Sequence, residues 1–366
     1  MPTEEDLFGD LLLIRKGGPE MEQGGGPTTI EPAVTPAEWE VKAQALREIF
    51  RQTLGEDPRI DCPLSLQVDY EKDRGDHIER RVSYMVAPDE RVASLALIPK
   101  GLSRPAPGLL CIHPTQEWGK EELVGRGGRA GGAEAENRSY ALHLVRRGYV
   151  TFVPDLLGSG ERIYPGRVAF DNVPFYSKYP RWSGTGKDLW DMQRALDVMQ
   201  GMPEIAAGCI GSIGHSQGGG ITCYLMAVDA RVKAGVNNCG LWPLRISKNP
   251  FGLCRTKWWI GRPALRPFAQ CGKPAPIDYH ELLTLSAPRP FLTIASLAEY
   301  QYGVEDESFT RPAWEQMAEQ INRVYGLLGA PGGFRLIAHL GPHDFPLPMR
   351  QAAYDFLDET LRSKRR

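Results

Sequence analysis

The sequence predicts an α/β fold, a mostly parallel central sheet with helices on both faces, and three observations predict it. Residues 77–86 and 92–98 read as two strands around a turn at Pro88-Asp89-Glu90, an antiparallel start. From residue 108 onward, short apolar runs alternate with helical periodicities, the pattern of strands buried on both faces and joined by crossover helices. The apolar run 209–213 passes through Gly214-His215-Ser216-Gln217-Gly218 into a helix-like run at 219–228, which reads as strand, sharp turn, helix.

Taken in order, residues 1–34 read as an acidic, flexible N-terminal arm. Residues 1–32 hold seven acids and two bases, and Gly17-Gly18-Pro19 and Gly24-Gly25-Gly26-Pro27 punctuate them. The fold is expected over 35–366. Thr35-Pro36-Ala37-Glu38 is a capping box with proline at the first helical position, and Trp39, Ala43, Leu46, Phe50 and Leu54 follow at helical spacing until Gly55. After the antiparallel pair come a strand at 108–112, a helix at 140–147, a strand at 149–154 and a helix at 188–200. The Ser216 strand and helix follow, then a strand at 232–237 and a lid insertion at about 241–282. A strand at 290–295, a helix at 313–328, a strand at 334–338 and a last helix near 349–361 complete the chain.

Composition excludes several classes. A formal net charge of -2 gives no overall pull toward nucleic acid or an anionic membrane. No apolar run approaches a membrane span, and the start Met1-Pro2-Thr3-Glu4-Glu5-Asp6 lacks the basic residues of a secretory signal. The seven cysteines form no CxxC pair, which points to a reducing, cytoplasmic setting, although Cys254 and Cys271 could bridge across one loop. The histidines are scattered without a metal-ligand pattern, so no metal and no cofactor are expected. The glycine-rich stretch 125–132 lacks the Gly-Lys-Ser/Thr ending of a phosphate loop and reads as a loop near the site.

A serine held on such a turn becomes a nucleophile when a histidine reaches it. The partner order with this elbow is serine, acid, histidine. His343, just past the final strand in Gly341-Pro342-His343-Asp344-Phe345-Pro346, is the expected base. Glu299 is the first carboxylate past the strand at 290–295 and the expected orienting acid, with Asp306 as the alternative. The oxyanion donors are expected to be the amides of Gln217 and of Thr115, since Pro114 has no N–H; Gln116 is the second choice. His215 is expected behind the elbow, and Asp155 and Asp191 as structural holders of nearby loops.

These residues resemble the α/β-hydrolase superfamily, and within it the dienelactone hydrolase and acetyl xylan esterase-like branch of bacterial esterases. The likeness runs from about residue 38 to 361. It is carried by Trp39, His113-Pro114-Thr115-Gln116, Gly119-Lys120-Glu121-Glu122, Val153-Pro154-Asp155, Trp190-Asp191 with Arg194-Ala195-Leu196-Asp197, the Ser216 elbow, Ala287-Pro288-Arg289-Pro290 and His343-Asp344-Phe345-Pro346. The resemblance implies carboxylic-ester hydrolysis through an acyl-enzyme, without fixing the substrate. Three departures stand out. Dienelactone hydrolases proper use cysteine at the Ser216 position, the usual acid is aspartate, and the loop after the third strand commonly begins His-Gly or His-Gln. An amidase, a lactonase or an acyltransferase would use the same groups, and a catalytically silent binding protein could keep the scaffold.

Residues 241–277 carry Arg245, Lys248, Arg255, Lys257, Arg262, Arg266 and Lys273 and no acid, with Trp242, Trp258 and Trp259 among them. They read either as a cap favouring substrates with a carboxylate, or as a cap whose aromatics pack on the sheet edge while its charges face water. The acidic arm could lie against this insertion, within one subunit or between two. Trp242, Trp258, Trp259, Gln116 and Lys120 are the expected substrate-binding residues, Lys120 fitting a structural ion pair equally well.

Overall fold

In the computed structural model the described residues are 35–127, 133–245, 247, 249–255, 261–298 and 307–362, with 133–135 and 307–310 described by backbone alone. The N-terminal arm, Trp258, Trp259, Glu299 and Asp306 therefore lie outside the described residues.

Helix α1 (Pro36–Thr53) starts as its sequence requires. The Glu38 amide donates to Thr35 Oγ1 at 3.2 Å, and the Thr35 amide donates to the Glu38 carboxylate at 3.0 Å. Strands β1 (Gln67–Asp73), β2 (His77–Ala87) and β3 (Glu90–Pro99) form an antiparallel ribbon. Then follow β4 (Ala106–Ile112), α2 (Tyr140–Arg146), β5 (Val150–Pro154), α3 (Gly184–Gln200), β6 (Ile205–His215), α4 (Gln217–Val228) and β7 (Val232–Asn238). After the insertion, which holds α5 (Tyr279–Thr284), come β8 (Phe291–Ser296), α6 (Glu307–Leu327), β9 (Phe334–His339) and α7 (Leu347–Leu357).

The nine strands make one sheet in the order β1-β2-β3-β5-β4-β6-β7-β8-β9. β3 meets β5 antiparallel, and every pairing from β5 to β9 is parallel. Strands β4 and β5 are buried along their whole length, as continuous apolar runs demand when both faces are covered. One apolar layer gathers Trp39, Phe50, Met192, Leu196 and Tyr224 from α1, α3 and α4. The other gathers Tyr140, Leu144, Phe345, Phe356 and Leu357 on the opposite face. The expected fold is thus present, with three differences of detail. β1 is a solvent-exposed edge strand that apolar patterning does not reveal. α3 begins at Gly184 rather than 188, because Ser183 Oγ accepts from the Gly186 amide at 2.9 Å. α6 begins at Glu307 and runs through Pro312.

All seven cysteines are free thiols, so Cys254 and Cys271 are not bridged. No helix among the described residues is long and apolar enough to cross a membrane.

Candidate active site

The turn between β6 and α4 is set by two glycines. A Cβ on Gly214 would stand 2.1 Å from the Gly218 carbonyl carbon, and one on Gly218 would stand 2.0 Å from the Ile112 oxygen of β4. Only backbone fits at either place, so the chain reverses hard against the neighbouring strand. Ser216 between them takes φ 53° and ψ −122°, a conformation costing about 1–3 kcal/mol that surrounding contacts must hold. They do so from both sides: the Ser216 amide donates to the Asn238 carbonyl at 2.8 Å, and its own carbonyl accepts from the Gly220 amide at 3.1 Å.

His343 reaches this serine from the loop between β9 and α7. Its Nε2 lies 2.9 Å from Ser216 Oγ. That loop is tied at several points to the ends of β7 and β8. Asn238 Nδ2 donates to the Asp344 carbonyl at 3.0 Å, Ser296 Oγ donates to the Gly341 carbonyl at 2.6 Å, and the Leu297 amide donates to the His339 carbonyl at 2.8 Å. The Asp344 carboxylate points elsewhere, accepting from Asn137 Nδ2 at 2.6 Å. His215 is fully buried, 4.9 Å ring to ring from His343, and lines the cavity rather than hiding behind the turn. Burial, then the neighbouring His343, push its pKa well down. It is a neutral ring whose Nδ1 accepts from Asn238 Nδ2 at 2.8 Å.

The loop after β4 forms the opposite rim. His113 is buried; Leu156 N–H donates to its Nε2 at 2.9 Å, so Nδ1 carries the proton and donates to the Pro114 carbonyl at 2.7 Å. With that anchor in place, Thr115 Oγ1 donates to Gln217 Oε1 at 2.9 Å, and Gln217 Nε2 donates to Asp188 Oδ2 at 3.3 Å. Among the described residues neither the Thr115 nor the Gln217 amide has an acceptor, and both residues line the same cavity as Ser216 and His343. Asp188 on α3 is buried, and burial raises its pKa to about 7.

The cavity measures about 250 Å³. Ser216, His343, Gly220 and Ile221 line it together with Trp242, Leu253 and Arg255 of the insertion, and with Tyr224 and Tyr279. A second cavity of about 190 Å³ shares Trp242 and Leu253 with it. Trp242, expected at the substrate, lines both cavities. Gln116 and Lys120 are absent from the described lining of this cavity and bond to protein partners. Gln116 holds its own loop, Nε2 donating to the Gly119 carbonyl at 2.8 Å while Oε1 accepts from the Trp118 amide. Lys120 is buried and turned away, its Nζ 2.6 Å from Asp155 and 2.7 Å from Glu161, because a desolvated ammonium needs paired carboxylates. Asp155 and Asp191 are structural as expected. Asp191 pairs with Lys187, and with Arg162 at 2.7 Å.

Asn238 and Asp188 carry little signal in the sequence. Asn238 ends an apolar strand as half of an Asn-Asn pair, and Asp188 falls within a helical periodicity.

Comparison with known proteins settles the family. A family model described as "Abhydrolase family" matches residues 24–238. The chain belongs to the Abhydrolase family. A relative of this Abhydrolase-family chain, the putative hydrolase YtaP of Bacillus subtilis (strain 168), is 24% identical over 324 residues, spanning 88% of this chain and all of that one. A glucuronoyl esterase from Solibacter usitatus superposes with a TM-score of 0.67 at 16% identity, covering 91% of this chain and 95% of its own. A putative acetyl xylan esterase from Bacteroides fragilis NCTC 9343 gives 0.63 at 18% identity, covering 90% and 86%. At such identities these two structures establish the α/β-hydrolase fold and nothing finer.

Proposed function

We propose that this Abhydrolase-family protein is a serine esterase that cleaves a carboxylic ester through an acyl-enzyme. One observation carries the reading: the 2.9 Å contact between His343 Nε2 and Ser216 Oγ, made on a strained turn beside a cavity that both residues line. Ser216 Oγ attacks the ester carbonyl while His343 takes its proton and then delivers it to the leaving alcohol. The Gln217 and Thr115 amides hold the oxyanion, an interaction typically worth roughly 3–4 kcal/mol in the transition state. Water, activated by the same imidazole, releases the acid.

Glu299 orients His343. The tie from Leu297 to His339 and the tie from Ser296 to Gly341 support this, because they carry the chain leading to Glu299 alongside the histidine loop. Glucuronoyl and acetyl xylan esterases share the fold, which makes a small carbohydrate ester the first substrate class to try. The free cysteines support a reducing, cytoplasmic setting.

The test is a panel of acetylated xylo-oligosaccharides, methyl glucuronate and simple acetyl, butyryl and aryl esters, assayed with wild type and Glu299→Gln. Hydrolysis of at least one class, lowered by orders of magnitude in Glu299→Gln, supports the reading. Activity lost in Asp306→Asn and kept in Glu299→Gln moves the acid to Asp306. A wild type inert on every ester overturns the reading.

A further inference from the structure

Among the described residues that line the cavity, the charged side chains are Arg138 and Arg255, with no aspartate or glutamate. On the inner side Arg138 is offset by Glu122 at 3.3 Å and Asp344 at 3.8 Å. The insertion side differs. Arg262 is fully buried, and among the described residues its Nε, Nη1 and Nη2 have no acceptor. Its guanidinium lies 5.1 Å from the centre of the Tyr224 ring, and its backbone amide donates to the Leu253 carbonyl at 2.8 Å. Tyr224 and Leu253 both wall the cavity, so this charge sits directly behind the surface that a substrate touches. An arginine stays charged at any ordinary pH, and burying it without an anion costs more than contact with an aromatic face returns.

A second observation points the same way. The Tyr224 and Tyr279 hydroxyls lie 2.6 Å apart, and both residues line the cavity. Two hydroxyls supply two protons, and their mutual bond uses one. The other proton has no acceptor among the described residues and is available to an oxygen in the cavity.

We propose that the Ser216 cavity takes an ester that also bears a carboxylate, received at the insertion wall by the Tyr224–Tyr279 hydroxyl pair with Arg255 beside it and the Arg262 charge behind it. The proposal rests on the esterase reading for its chemistry and adds the substrate class. Beside the buried Arg262 charge, the attraction for an anionic group is stronger than at an exposed surface.

The test compares the 4-nitrophenyl monoester of glutaric acid with the neutral 4-nitrophenyl pentanoate. Wild type is expected to favour the glutarate ester in kcat/KM by tenfold or more. Arg262→Met is expected to cut that preference about tenfold, and Arg262→Lys to keep part of it. Arg323→Gln, on the exposed outer face of α6, should leave the ratio where it was. No preference in wild type overturns the proposal, as does an Arg262→Met variant that loses both substrates equally. Glutarate binding to Ser216→Ala, read by calorimetry, separates this proposal from the esterase reading. Saturable binding that weakens at least tenfold in Ser216→Ala/Tyr279→Phe supports the carboxylate site even if neither ester is cleaved. Absent binding, or binding that Tyr279→Phe leaves unchanged, overturns it.

Discussion

Thr115 and Gln217 are joined side chain to side chain at 2.9 Å, across the gap between the loop after β4 and the first turn after Ser216. These residues carry the two amides assigned to the oxyanion, so the bond fixes the spacing of the donors. Asp188 holds the far end of the Gln217 amide and makes the bridge a three-membered one. Removing the hydroxyl with Thr115→Val should lower kcat about tenfold with KM within about twofold, because a donor displaced by a fraction of an ångström loses most in the transition state. Thr115→Ser should restore the rate. Steady-state kinetics on the three proteins checks this.

Asp188 gives the bridge a pH signature. Its pKa rises from an ordinary 3.8 to about 7 because burial disfavours the charged form. Between about pH 4 and 7 the folded protein therefore keeps a proton that the unfolded chain has released. Stability contributed by this group falls as pH rises through that window. Asp188→Asn cannot ionise, so its stability relative to wild type should improve steadily from pH 4 to pH 7. Urea midpoints for both proteins across that range measure the effect.

Asn238 couples the elbow to the histidine loop. Its Nδ2 donates to His215 Nδ1 and to the Asp344 carbonyl; Asn238 and His215 are buried and Asp344 is half-buried. Asn238→Ala leaves both acceptors unmet at a cost of about 2–3 kcal/mol. It also frees His343, so kcat should fall more than stability alone explains. Chemical denaturation with kinetics at a temperature where the variant remains folded separates the two effects.

Gly218 has no room for a side chain. In Gly218→Ala the added methyl would meet the Ile112 oxygen at 2.0 Å, so α4 must move away from β4. Destabilisation above about 3 kcal/mol is expected, in the range of overpacked cores. A variant melting within a degree or two of wild type would show that the turn is looser than described.

Much of this was readable beforehand. The meeting of Ser216 with His343, and the place of Gln217 and Thr115 on the same cavity, could be read from glycine spacing, chain order and the missing N–H of Pro114, which are local chemical constraints. Trp242 was legible from its place in the insertion. Between the two readings open for Lys120 the ion pair is the one seen, and Gln116 bonds within its own loop; a loop residue's sequence position does not say which way its side chain turns. For Lys120 the answer lay in Asp155 and Glu161, thirty-five and forty-one residues away. Asp188 and Asn238 act through partners from other elements, which a periodicity argument never brings together. β1 hid because an exposed edge strand carries no apolar alternation.

The central claim is that Ser216 is a nucleophile activated by His343. Labelling the folded protein with a fluorophosphonate and locating the adduct by peptide mass spectrometry tests it most directly. The account predicts one stoichiometric adduct on Ser216, absent in Ser216→Ala and slowed by orders of magnitude in His343→Ala. No adduct on wild type, or one that persists in Ser216→Ala, would contradict it.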